Sequence, residues 1–114
     1  MTETASGPRA VEVDAERLRI RRGPGPHVAV AGEIDLGTTP QLDRVLAGIS
    51  VDPKTAMVID LQHVTVLQSH GVAALFVQAE RAPLTLIVRA GSAVATVLAI
   101  CGMEGQARVE PRPA

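Results

Sequence analysis

One short apolar run, Ala56-Met57-Val58-Ile59-Asp60-Leu61, constrains this chain most. It is nearly continuous, which is the pattern of a strand covered on both faces and typical of parallel pairing. A parallel neighbour requires a crossover, usually a helix. The sequence supplies one just downstream. Val72, Leu75, Phe76 and Ala79 form an apolar stripe at helical spacing, with a start expected near Gly71. Ala82-Pro83 stops it, because the residue before proline is biased away from helix.

The same alternation extends in both directions. Leu18-Arg19-Ile20-Arg21 alternates as a half-buried strand does, and His27-Val28-Ala29-Val30-Ala31 returns after the turn Gly23-Pro24-Gly25-Pro26. The two predict a hairpin. Gly32 to Gly37 reads as a loop. Thr38 or Thr39 can cap a helix with Pro40 in its first turn and Leu42, Val45, Leu46 and Ile49 on its buried face. Leu84-Thr85-Leu86-Ile87-Val88 is a further strand. Ser92 caps a third helix carrying Val94, Val97, Leu98 and Cys101, and Gly102 suits its left-handed terminus. Ala107-Arg108-Val109 reads as a short last strand. Strands alternating with helices give an α/β domain with a mixed sheet and right-handed crossovers. Residues 1–15 are expected as a flexible tail ending in an edge strand at Val11-Glu12-Val13, with a single domain over 16–110 and a C-terminal tail at 111–114.

Composition narrows the function. Trp and Tyr are absent and Phe76 is the lone aromatic, which argues against base stacking, and a net charge of −1 lacks the electrostatic footprint of a nucleic-acid binder. No apolar run reaches the ~18 residues of a membrane span, so no membrane insertion is expected. Met1 to Gly7 lacks a basic start followed by an apolar stretch, so no secretion signal is expected. A single cysteine permits no internal disulfide and fits a reducing cytosol. Cys101 is expected as inert core.

The chemistry of an enzyme is not apparent. Of the three histidines, His27 follows a turn and His63 lies in the loop expected after Leu61. No His, Cys, Asp or Glu cluster has metal-ligand spacing. Phosphate-binding glycine loops and a Gly-x-Ser-x-Gly elbow are absent, so neither cofactor nor catalysis is expected. Ser69 beside His70 does not make a nucleophile-base dyad, since adjacent residues at a helix start point in different directions. Ser69 has two readings. It can be a helix N-cap worth ~1 kcal/mol. It can also be a regulatory phosphorylation site, because a phosphoserine is favoured beside helix N-terminal amides.

Three stretches together resemble the STAS domain family, specifically bacterial anti-sigma factor antagonists. They are Val28-Ala29-Val30-Ala31-Gly32-Glu33-Ile34-Asp35 with Thr38-Thr39 to Leu42; Met57 to Leu61 with Val64 to Leu75; and Val97 to Met103. The resemblance implies a STAS-like domain with a four- to five-stranded mixed sheet and three to four helices mainly on one side. It implies a cytoplasmic module that binds an anti-sigma factor of the serine kinase-like kind and so regulates sigma-factor-dependent transcription. A homodimer stays open. The implied partner-binding residues are Glu33, Asp35, Thr38, Gln68, Ser69, His70, Gly71 and Val72. The family reads Asp-Ser-Ser-Gly or Asp-Ser-Thr-Gly where this chain reads Gln68-Ser69-His70-Gly71. His70 therefore stands at the phosphoacceptor position, and Ser69 is the possible substitute. This departure favours docking without the usual serine switch. It also fits an alternative, a STAS subunit of a transport complex or signalling scaffold. Nucleotide binding, known for some STAS domains, has no phosphate loop to support it here. The connection Arg81-Ala82-Pro83-Leu84 is shorter than the family's, which implies a truncated second helix.

Overall fold

The computed structural model describes residues 10–113. The N-terminal stretch used to judge a secretion signal, and the first part of the expected tail, lie outside them. A six-stranded sheet carries three helices. Its strands are β1 (Ala10–Asp14), β2 (Leu18–Arg22), β3 (His27–Ile34), β4 (Met57–Leu67), β5 (Leu84–Arg89) and β6 (Arg108–Arg112). The helices are α1 (Thr39–Ala47), α2 (Ser69–Arg81) and α3 (Ala93–Ile100). A 3-10 turn at Met103–Gly105 follows α3.

The spatial order of the strands is their chain order. β1, β2 and β3 are antiparallel neighbours, while β3 to β6 are parallel. This order decides the layering. Each crossover from β3 onward moves to the next strand in the same direction. Right-handed crossovers then place all three helices on one face. The sheet has one strand more than the expected upper bound of five, because both of its ends are extended. β1 lies within the stretch expected as a tail, where an edge strand was anticipated, and β6 runs to Arg112 rather than stopping near Val109.

The core lies between that face and the helices. Leu18, Ile20, Val28, Val30, Ile34, Met57, Ile59, Leu61, Leu86 and Val88 meet Leu42, Leu46, Leu75, Val94 and Leu98. At ~1.5–3 kcal/mol for each large aliphatic side chain, this burial is the main favourable term. Arg81 ties α2 to the end of α1: its guanidinium donates to the carbonyls of Leu46 and Ile49, each at 2.9 Å. The Leu46 carbonyl also accepts from the Ile49 amide at 3.2 Å, so the guanidinium adds a second bond at this helix end.

Three local expectations change. β4 is covered on one face only: Met57, Ile59 and Leu61 are buried, whereas Val58 and Asp60 between them are partly exposed. Its apolar run reflects β-propensity more than two-sided burial. β4 also continues past Leu61 to Leu67, so His63 stands in a strand rather than a loop. Cys101 is exposed, not core. It is the C-cap of α3, where the chain leaves the helix toward Gly102 at φ 75°, so the buried stripe ends with Leu98. Ser92 does cap α3, accepting from the Ala95 amide at 3.1 Å.

Candidate functional site

β3 and β4 run parallel, so their C-terminal ends share one edge of the sheet. Ile34 pairs with Leu67 there, and the Gln68 amide donates to the Ile34 carbonyl at 2.9 Å. The loop from β3 to α1 and the start of α2 therefore emerge side by side. All eight implied partner-binding residues lie in these two junctions.

Glycine makes each junction possible. Gly32 sits at φ 105°, and a Cβ there would overlap the Arg17 carbonyl oxygen. L-residues avoid that backbone region, so the position requires glycine on two counts. Gly71 meets a packing limit instead. A Cβ on it would overlap Ile34 Cγ2 and lie 2.8 Å from Leu67 Cδ1. The first turn of α2 is thus pressed directly onto the ends of β3 and β4.

The β3–α1 loop is organised by its own side chains. Asp35 Oδ1 accepts from the amides of Gly37 (2.9 Å) and Thr38 (3.2 Å). Thr38 Oγ1 donates to the Glu33 carbonyl at 2.7 Å and accepts from the Asp35 amide at 2.9 Å. Thr38 is the N-cap residue of α1, but its hydroxyl is spent on the loop. The helix-start amide of Thr39 is satisfied by the Asp35 carbonyl at 2.9 Å. Arg17 spans the strand ends, bonding Glu33 Oε1 at 3.2 Å and also the Asp35 carboxylate. These pairs are partly exposed, so each contributes little by itself. Their joint effect is to hold the loop in one shape.

The start of α2 differs. Gln68, not Ser69, is its N-cap, with extended backbone (φ −100°, ψ 174°) and no side-chain cap bond. Ser69 is already helical, which removes the capping role expected for it. Ser69 and His70 are exposed. Among the described residues neither side chain makes a hydrogen bond to the protein.

Burial divides the eight residues. Gln68, Ser69 and His70 face solvent, and Glu33 is half-exposed beside Arg17. Asp35 is partly buried within its turn. Thr38, Gly71 and Val72 are buried and position the others. Sequence reasoning set Leu36 within the Glu33 to Thr39 stretch without singling it out, and missed Val66 and Arg17. Leu36 is 65% exposed at the tip of the β3–α1 loop, and Val66 is exposed just before α2. Arg17 precedes β2. The hairpin register, with Leu18 opposite Gly32, was the signal that would have set Arg17 near Glu33.

The profile of the STAS domain family matches residues 18–112. The chain belongs to the STAS domain family. This STAS domain is also similar to a solved structure, an anti-sigma factor antagonist from Mycobacterium paratuberculosis. The two share 24% identity and a TM-score of 0.68, over 91% of this chain and 85% of that one. At that identity the likeness speaks for the fold. No curated protein sequence matches this STAS domain. Among the described residues, no helix is long and apolar enough to cross a membrane.

Proposed function

We propose that this STAS domain is an anti-sigma factor antagonist-like docking module, acting in the cytoplasm without catalysis of its own. The observation that carries the reading is one exposed surface at the shared strand edge. There Gln68, Ser69 and His70 stand free beside exposed Leu36 and half-exposed Glu33. An exposed leucine flanked by polar groups without internal partners suits protein docking, where apolar contact supplies affinity and the polar rim supplies specificity. Binding there would sequester a serine kinase-like anti-sigma factor and release its sigma factor.

His70 occupies the phosphoacceptor position, so docking proceeds without the usual serine switch. Ser69 remains chemically available, because its hydroxyl caps nothing. Titration calorimetry of the full chain against candidate anti-sigma factors, with and without ATP, tests the proposal. Saturable binding weakened by Leu36→Asp supports it, and no binding to any of them overturns it. Mass spectrometry after incubation with such a kinase and ATP decides the switch. Modification at Ser69, lost in Ser69→Ala, would restore a phosphorylation-controlled complex.

A further inference from the structure

The helix-free face of the sheet carries a trough whose lining shares no residue with the proposed docking surface. It encloses about 600 Å³ and is lined by Arg19 and Arg21 of β2, by Ala29, Ala31 and Gly32 of β3, and by Asp60, His63 and Thr65 of β4. Its shape follows from the register. Arg21, Ala29 and Asp60 lie in one row across three strands, and Arg19, Ala31 and His63 in the next. Alanine fills little space above β3, so the larger side chains of β2 and β4 become walls about 10 Å apart. Such a volume falls within the range of small-molecule sites.

A β-bulge completes the far wall. Between Ala29 and Ala31, β4 advances from Asp60 to His63, one residue more than β3. Simple alternation from buried Leu61 would turn His63 into the core. The bulge instead turns Val64 into the core and His63 outward. Bulges that re-aim a side chain recur beside functional sites.

The near wall is positively charged. Arg19 and Arg21 project from the same face about 7 Å apart along β2. Among the described residues neither forms an ion pair, although Asp14 lies opposite Arg19 in register. On the far wall Asp60 is occupied by Gln62, whose backbone amide and side-chain amide both donate to it. Two guanidiniums on one wall suit a phosphate, which accepts several charge-assisted hydrogen bonds. Asp60, His63 and Thr65 opposite them suit hydroxyl groups.

We propose that this trough binds a small phosphate monoester with a hydroxyl-bearing body, its phosphate on Arg19 and Arg21 and its hydroxyls toward Asp60 and His63. The test is titration of the full chain with ribose 5-phosphate, with ribose and inorganic phosphate in parallel, followed by amide chemical shifts. Saturable binding of ribose 5-phosphate or of inorganic phosphate, with shifts centred on β2, β3 and β4, supports the site. The first alone shows that the sugar is recognised; equal binding of both overturns the assignment of hydroxyls to Asp60 and His63 and leaves a site for free phosphate. The double variant Arg19→Ala/Arg21→Ala should weaken binding at least tenfold. Ala31→Leu keeps every charge but fills the trough, and should weaken it as much. Both alter exposed or half-exposed positions, and an unchanged thermal transition verifies the fold. No binding of either phosphate at millimolar concentration overturns the proposal, as does undiminished binding by Ala31→Leu. Neither outcome bears on anti-sigma factor docking, which is proposed for other residues at the end of the sheet.

Discussion

The two strand-to-helix junctions lie side by side at one sheet edge, yet they are built in opposite ways. From β3 to α1, Asp35, Thr38 and Arg17 hold the loop through side-chain hydrogen bonds and ion pairs. From β4 to α2, no side chain caps the helix, and Ser69 and His70 are exposed. One junction turns its polar groups on itself. The other leaves them exposed to solvent. What the second lacks in hydrogen bonds it recovers in packing, through the close seating of Gly71 on Ile34 and Leu67. A surface can therefore be positioned firmly while its exposed side chains stay free.

Substitutions can break or sharpen this contrast, and denaturant midpoints at constant m-value measure them. The largest effect is expected at Gly32→Ala, a loss of about 3 kcal/mol, because a left-handed backbone is combined with overlap against a main-chain oxygen that cannot step aside. Gly71→Ala should cost about 2 kcal/mol, less because Ile34 and Leu67 side chains can partly yield. A loss at Gly71 equal to that at Gly32 would mean that both junctions are limited by backbone. Asp35→Ala should cost about 1.5 kcal/mol, from its turn bonds and the Arg17 pair. Gln68→Asp is expected to stabilise by about 1 kcal/mol, because it places a capping carboxylate at the uncapped position. Ser69→Ala should change stability by less than about 0.5 kcal/mol while weakening partner binding. A loss near 1 kcal/mol at Ser69 would return it to the role of an N-cap.

Much of the fold was legible in the sequence because its signals are local. The hairpin at residues 18–31, the Ser92 cap and the Gly102 terminus each depend on a few neighbouring residues, and each stands where it was expected. The misplaced features depend on distant ones. His63 lies in a strand because β4 pairs with β3 across a bulge, and no short window contains both strands. Cys101 continues the apolar pattern of α3, but that helix is apolar all round, so periodicity alone could not tell its buried side. Ser69 has the composition of a cap. The helix nevertheless starts at it, because β4 delivers Leu67 into the core and leaves Gln68 extended just before the first turn.

At the candidate site, the glycine-bearing stretches Gly32-Glu33-Ile34-Asp35 and Gln68-Ser69-His70-Gly71 stood out in the chain, but the division of labour within them did not. Buried Thr38 looks no different in sequence from exposed Ser69. By itself the sequence determined an alternating α/β chain and the two junctions, since spacing and residue type are short-range properties, while the histidine in place of a hydroxyl is what the family resemblance implies. Only the tertiary structure decided that all helices share one face, that Leu36 joins Ser69 and His70 at one edge, and that two arginines face a histidine across an open trough. Those outcomes are set by strand order, register and bulges, which arise only when segments distant in the chain pack together.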